Sequence, residues 1–319
     1  MDNGRKISII AIEITNYCNY SCRFCPQSIW RMYNKPLYNR NKGFISFPLF
    51  SKLILEADKI ASEVNFGFFG EPMLHPYFCN LIDMLKYRNT KLKFVMNTNL
   101  SVANKHIFQT LIDINMTELR ISIDAATPAT YDTIRPGKYW MDIEGKINIG
   151  DRFETICHKM EYWFSLSNHV PTRHVFTVNS KNVGELKQYV EKWLPYLGDS
   201  DCILVKNVLT YGGKMQDEMI RPNPCNVWEN NMLIVDWAGR VSPCNLDVNM
   251  DLEIGDVTTN SLLEISNNHN RHKLERESIK KNIDPCKSCI DANNWTDIFF
   301  FKKGDRWTDE CYKILKVDN

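Results

Sequence analysis

The sequence predicts an α/β fold: six strand-then-helix steps running in one direction form a partial or full parallel barrel, with a smaller cysteine-bearing unit behind it. Three observations carry this. Short, β-branched apolar runs alternate with stretches of helical spacing from Ile7 to Leu209, the pattern of a parallel sheet covered by helices. The residues with chemical capacity follow the ends of those runs, where α/β barrels place their sites. Seven of the 11 cysteines fall into two groups, one towards each end of the chain.

Residues 7–14 (ISIIAIEI) read as a buried first strand, followed at once by a cysteine loop. Residues 27–47 are mixed and aromatic and read as a loop or insertion. Residues 48–61 have helical spacing (Leu49, Leu53, Leu55, Ile60), with Pro48 in the first turn. Residues 64–69 are the second strand, ending in Gly70-Glu71-Pro72, and 76–87 the next helix. Residues 92–96 are the third strand, running into Asn97-Thr98-Asn99, and 103–114 a helix. Residues 118–123 alternate as the fourth strand, and Thr127 caps the helix that follows. Residues 138–168 read as a loop and then a helix, interrupted by Gly145 and Gly150. Residues 174–178 and 203–209 are strands on either side of a helix over 183–194, which Pro195 stops. Two Gly and two Pro make 211–224 a linker. Residues 232–235 and 240–242 flank Trp237-Ala238-Gly239 as a hairpin, and 266–282 read as a solvated helix. The predicted organisation is a core over residues 1–210, the linker over 211–224, a second unit over 225–295 and a helical tail over 296–319.

Composition narrows the function. With 44% hydrophobic and 24% charged residues over 319 positions, the chain is globular rather than disordered or collagen-like. A net charge of +1 argues against nucleic acid or an anionic membrane as a bulk partner. No run approaches the ~18 apolar residues of a membrane span, and the opening MDNGRKISII is too quickly polar for a secretory signal. A cytoplasmic location is therefore expected. In a reducing compartment, grouped cysteines read as metal ligands rather than disulfides. Cys79, Cys157, Cys202 and Cys311 stand apart and read as small buried hydrophobes.

Cys18, Cys22 and Cys25 form C-x3-C-x2-C on the loop after the first strand. Thiolates are soft ligands, suited to iron–sulfur clusters, zinc or copper(I). A structural zinc site closes with four protein ligands; three cysteines are one short, and no histidine lies nearby in sequence. A cubane held by three cysteines keeps one iron open. The stretch C-N-Y-S-C-R-F-C resembles the signature of the radical S-adenosylmethionine (radical SAM) superfamily. That resemblance implies a partial (β/α)6 radical SAM barrel and a [4Fe–4S] cluster on Cys18, Cys22 and Cys25. The open iron would chelate the amino and carboxylate groups of SAM, and an electron from the cluster would release a 5′-deoxyadenosyl radical. Phe24 is implied next to the adenine. Gly70-Glu71-Pro72 resembles the GGEP element that receives the SAM ammonium, with Phe69 in place of its first glycine. Asn97-Thr98-Asn99 resembles the TNG element, with Leu100 in place of its glycine, and brings Asn99 into the site. Ser122-Ile123-Asp124 and Ile134-Arg135-Pro136-Gly137 resemble the SxD and IRPG stretches; Ser122, Asp124 and Arg135 are implied as contacts of the SAM ribose and carboxylate. His75, just past this region, reads as a structural or solvated loop histidine.

Cys225, Cys244, Cys286 and Cys289 supply four thiolates, enough for a zinc tetrahedron or a complete cubane, and spacing alone does not choose. With the N-terminal trio as context, W-A-G-R-V-S-P-C, I-G-D-V, S-L-L-E-I and C-x2-C resemble the SPASM/twitch extension of radical SAM enzymes. Trp295 and Phe299 stand where a full SPASM domain has further cysteines, so the resemblance implies the shorter twitch form with one auxiliary [4Fe–4S] cluster. A fully ligated cluster suits one-electron transfer, and the implied activity is an oxidation: hydrogen-atom abstraction from a substrate carbon, loss of a proton to a base, and passage of the remaining electron to the auxiliary cluster. The architecture is similar to that of the aminocyclitol dehydrogenases of aminoglycoside biosynthesis. The expected substrate is a hydroxylated small molecule, an aminocyclitol or sugar, taken from secondary alcohol to ketone, with a flavodoxin- or ferredoxin-type reductant. Modification of a ribosomal peptide or a protein side chain is the alternative; against it, the first strand begins by about residue 7, with no separate leader-binding segment before it. A non-catalytic iron–sulfur carrier or zinc module is the alternative of another class.

Overall fold

The computed structural model describes residues 7–28, 38–86, 88, 90–148, 150–212, 225, 231–289, 297–308 and 310–311. Six parallel strands pair in chain order: β1 (Ile9–Ile12), β2 (Glu63–Phe66), β3 (Lys93–Thr98), β4 (Glu118–Ser122), β5 (Thr172–Val178) and β6 (Cys202–Asn207). Helices α1 (Phe47–Ile60), α2 (Phe78–Asp83), α3 (Lys105–Asp113), α4 (Pro128–Ile134), α5 (Arg152–Ser165) and α6 (Leu186–Trp193) follow in the crossovers.

Local chemistry sets where the helices begin. Ser46, Asn104, Thr127 and Asp151 each accept a backbone N–H of the first turn, from Leu49, Ile107, Thr130 and Glu154 respectively, satisfying donors that the helix leaves unpaired. Gly145 and Gly150 both have positive φ, and both lie ahead of the Asp151 cap. The glycines that interrupt the helical pattern therefore shape the approach to α5 rather than break it. Between sheet and helices Phe50, Phe66 and Phe94 pack in series, with centroids 5.8 and 5.9 Å apart, and Trp163 and Trp193 are fully buried. Removing each such side chain from water contributes on the order of 2 kcal/mol.

The hairpin forms as expected, but it extends the main sheet. β7 (Met232–Val235) pairs in parallel with β1, β8 (Arg240–Ser242) antiparallel with β7, and β9 (Gly255–Asp256) antiparallel with β8. Ile234 and Val235 are fully buried, so this edge is hydrophobic enough to join rather than stand apart. Two short helices follow: α7 (Leu262–Ser266), started by a Ser261/Glu264 capping box, and α8 (His269–Ile279), in which only Arg271 and Ser278 are buried.

The tail departs from expectation. Residues Asp297–Phe301 are not helical; they form β10, antiparallel to β6, with Phe299, Phe300 and Phe301 opposite Val205, Leu204 and Ile203. Aromatic residues favour a pleated surface, and the free edge of β6 offered unpaired backbone groups. Residues 312–319 of the expected helix lie outside the described residues. The sheet runs β10-β6-β5-β4-β3-β2-β1-β7-β8-β9. Among the described residues no helix is long and apolar enough to cross a membrane.

Candidate active site

The loops after β1 to β4 converge. The cysteine loop leaves β1 and docks by its backbone on residues 134–138: Ser21 N donates to Pro136 O (2.7 Å), Arg23 N to Ile134 O (2.9 Å), and Lys138 N to Asn19 O (2.8 Å). The loop after β2 meets the start of the cysteine loop at Thr15–Tyr17. Gly70 has φ +87°, and a Cβ there would stand 2.2 Å from Thr15 O and 2.9 Å from Tyr17 O. Only glycine permits that approach, which lets Glu71 N donate to Tyr17 O (2.8 Å).

Glu71 is 1% exposed and held on three sides. Thr98 Oγ1 donates to Oε1 (2.7 Å), Asn99 N to Oε2 (2.7 Å) and Met73 N to Oε1 (3.4 Å). Burial outweighs these donors and pushes the carboxyl up to about 7. Asn99, buried beside it, turns its amide towards the cysteine loop, with Nδ2 3.3 Å from Asn19 Oδ1 and 3.8 Å from Cys18 Sγ. The next residue, Leu100, has φ +62°. A left-handed leucine is strained by about 1–2 kcal/mol, so the position where the TNG resemblance has glycine keeps the glycine-like backbone without the glycine.

Arg135 is the other pole of the site. Its guanidinium forms a buried pair with Asp124, Nε to Oδ2 at 2.6 Å and Nη2 to the same oxygen. Its Nη1 lies 3.5 Å from Cys22 Sγ, and its plane sits 5.2 Å from the Phe24 ring centroid. The Asp124 carboxylate holds its group well above the usual arginine range, against the cost of burial. Asp124 itself has φ +62° and no exposed surface. Its Oδ1 accepts from Thr177 N (2.6 Å) and its backbone carbonyl from Asn182 Nδ2 (2.9 Å). Both carboxylate oxygens thus already accept protein donors, so Asp124 orients Arg135 directly. Ser122, half-buried at the end of β4, pairs with Val175 of β5.

The three N-terminal thiols interact with one another. Burial, then the neighbouring Cys22, raise Cys18, and the same two causes push Cys25 up to about 12. As free thiols they stay protonated; a cation is what would make them thiolates. Soft donors on one loop, with Asn99 and Arg135 directing N–H groups at two of the sulfurs, fit an iron–sulfur group. Among the described residues no three His, Cys, Asp or Glu side chains gather tightly enough for a single metal ion.

Cys244, Cys286 and Cys289 come together at a small satellite cluster with Leu246, Leu252, Leu209, Tyr211, Leu274 and Ile283. Burial, then Cys225, raises Cys286, so the fourth cysteine, which is exposed, lies near Cys286. Leu246 N donates to Cys244 Sγ (3.4 Å). Three soft donors at an apolar cluster, with a fourth near Cys286, fit a closed iron–sulfur group. Cys157, Cys202 and Cys311 are buried and Cys79 half-buried, with Cys311 in the main core. His75 is structural: Nδ1 accepts from Tyr77 N (3.1 Å) and Nε2 faces Ile45 O (3.0 Å).

Sequence reasoning missed two groups. Glu13, Arg40 and Asp236 form a buried ionic cluster, Arg40 making a bidentate pair with Glu13 (2.8 and 2.7 Å) and reaching Asp236 Oδ2 at 3.4 Å. Arg40 comes from the stretch read as a loop, and nothing in its local pattern marks it. Lys159 has no exposed surface. It did carry a signal: it shares a helical face with Ile156, Met160 and Trp163, where a lysine is out of place.

Residues 12–155 match the family model described as the radical SAM superfamily, and residues 225–290 match that of an iron–sulfur cluster-binding domain, SPASM. The chain is 21% identical over 301 residues to an S-adenosyl-L-methionine-dependent 2-deoxy-scyllo-inosamine dehydrogenase of Niallia circulans, covering 92% of this chain and 96% of that one. It is 23% identical over 267 residues to a tungsten-containing aldehyde ferredoxin oxidoreductase cofactor-modifying protein of Pyrococcus furiosus, covering 73% and 69%. Among solved structures, BtrN in complex with AdoMet and 2-DOIA superposes with a TM-score of 0.58 at 16% identity, covering 95% of this chain and 98% of that one. SuiB of Streptococcus suis bound to precursor peptide SuiA gives 0.65 at 14% identity, covering 90% and 70%.

Proposed function

This chain belongs to the radical SAM superfamily, an oxidoreductase using S-adenosylmethionine, a [4Fe–4S] cluster and auxiliary iron–sulfur chemistry, and on that premise we propose that it oxidises a hydroxylated small molecule, an aminocyclitol or sugar, from secondary alcohol to ketone. The observation that carries this is the relative aligned over 92% of this chain and 96% of its own length, a 2-deoxy-scyllo-inosamine dehydrogenase.

In this reading Cys18, Cys22 and Cys25 hold the SAM-binding cluster, and Cys225, Cys244, Cys286 and Cys289 the auxiliary one. Residues 1–210 then form the cofactor core, and 225–295 the auxiliary unit, joined by 211–224. When bound, the cofactors would supply a 5′-deoxyadenosyl radical to take a hydrogen atom from the substrate carbon and an acceptor for the one electron left when the hydroxyl proton passes to a base. The chain's own residues bind and orient. Glu71, anchored by Thr98 and Asn99, faces the region of Cys18 and receives the SAM ammonium. Arg135, fixed by Asp124 and lying on Phe24, offers its charge to the SAM carboxylate, with Phe24 beside the adenine. Gly70 lets the loop carrying Glu71 close on the cysteine loop. Asn99 and Ser122 supply further polar contacts. The reductant is of flavodoxin or ferredoxin type, and the enzyme works in the cytoplasm, where its thiols stay reduced.

The test is label transfer: reconstituted protein is given reductant, SAM and alcohols deuterated at the carbinol carbon. Deuterium in 5′-deoxyadenosine, with the matching ketone, is the expected result; SAM cleavage without label from any hydroxylated substrate would defeat the substrate assignment. Peptide modification is the second reading, favoured by the fold likeness to a peptide-bound enzyme. Deuterated peptides in the same assay decide between the two.

A further inference from the structure

Lys159 lies on α5, outside every element matched to the cofactor, yet its amine reaches the loop that carries Asn99. Nζ donates to Leu100 O (3.1 Å) and to Ser101 O (2.7 Å), and the side chain has no exposed surface. Burying an amine is costly unless its hydrogen bonds are recovered. Burial lowers it to about 7, with Asp142 and Glu71 the carboxylates that oppose this. An apolar side chain would have filled the same helical face without that cost.

What the amine holds is a strained turn. Leu100 is left-handed (φ +62°) and wholly buried. On either side of it the loop is wired to the cofactor region. Asn99 N donates to Glu71 Oε2, and Asn99 Oδ1 accepts from Ser101 N (2.8 Å). Ser101 Oγ accepts from Asn19 Nδ2 (2.8 Å), the residue next to Cys18. If Leu100 relaxed to an ordinary backbone, the Asn99 amide would swing away from both Glu71 and Asn19.

We propose that Lys159 is a positioning residue for the SAM site: its amine clamps the carbonyls of Leu100 and Ser101 and so keeps Leu100 in the left-handed turn that points Asn99 at Glu71 and the cysteine loop. The inference rests on the reading of Glu71 and Asn99 as SAM contacts. Leucine at a glycine-like position is what makes the clamp necessary.

The test is a double-mutant cycle with Lys159→Met and Leu100→Gly. Lys159→Met should raise KM for SAM in reductive cleavage about tenfold with a smaller change in kcat. Leu100→Gly permits the turn without strain, so adding it should shrink that penalty to about threefold or less. A second readout needs no SAM: amide hydrogen exchange at residues 99–101 of the reconstituted enzyme should quicken about tenfold in Lys159→Met, and by much less when Leu100→Gly is present. Unchanged exchange, or a Lys159→Met penalty that Leu100→Gly leaves intact, overturns the proposal. If Lys159→Met does not fold, folding of the double variant supports the clamp and its failure to fold overturns it. A wild-type enzyme that cleaves no SAM would instead defeat the functional reading, and the exchange arm would still decide the clamp.

Discussion

The two cysteine regions are held in different ways. The N-terminal loop is stitched down by backbone hydrogen bonds to residues 134–138, and polar side chains, Asn99 and Arg135, approach its sulfurs at 3.8 and 3.5 Å. The C-terminal cysteines sit instead at an apolar satellite core of Cys244, Leu246 and Leu252. A group that must accept and orient a charged cofactor needs fixed polar partners around it. A group that only exchanges an electron is better served by dry surroundings that control its dielectric. The contrast is between a set of thiols framed by polar side chains and one framed by leucines, with Cys225 exposed at its margin.

The largest effect should come from Cys18→Ala, Cys22→Ala and Cys25→Ala together. Reconstituted protein should lose all reductive SAM cleavage yet keep one iron–sulfur signal in electron paramagnetic resonance; loss of both signals would mean the regions are not independent. The reciprocal change is Cys244→Ala with Cys286→Ala. Production of 5′-deoxyadenosine should stay within about threefold of wild type, as expected for sites with no shared ligands, while ketone formation is lost. Equal loss of both would merge the two roles.

Arg135→Met breaks a buried pair and leaves Asp124 charged without its partner, which should cost about 3–5 kcal/mol in thermal or denaturant unfolding. Combining it with Asp124→Asn should recover much of that cost but none of the SAM affinity. An Arg135→Met variant as stable as wild type would remove the polar frame from the comparison.

The smallest effect on activity lies with a residue that touches neither set of cysteines. His174 is fully buried among Phe164, Tyr189 and Trp193, and burial lowers it to about 3. Its folded value lies below the ordinary 6.5, so the unfolded chain binds the extra proton between those values. The contribution of His174 to stability is full above about pH 6.5 and falls as pH drops towards 3, by up to about 1.4 kcal/mol per pH unit. His174→Phe should flatten that slope in pH-dependent unfolding while leaving SAM cleavage unchanged.

Much of this was legible because it is local. The C-x3-C-x2-C spacing, the Gly70-Glu71 turn, the Thr127 cap and the Trp237–Gly239 hairpin are each written within a few neighbouring residues. What escaped depends on partners far along the chain. Arg40 meets Glu13 at 27 residues' separation and Asp236 at 196. The direction of β10 was set by the vacant edge of β6 rather than by its own composition alone. Lys159 sits between these cases: the helical face betrays its burial, but only the fold shows that it ends on Leu100 and Ser101.

The parallel pairing of β7 with β1 gives the second cysteine unit a duty unrelated to electrons. A chain cut after residue 210 would expose the apolar, hydrogen-bond-hungry flank of β1, a template for self-association. The auxiliary region is therefore also the terminal plank of the sheet. Supplied as a separate polypeptide, it should dock by strand addition and return a truncated, clumping core to solution.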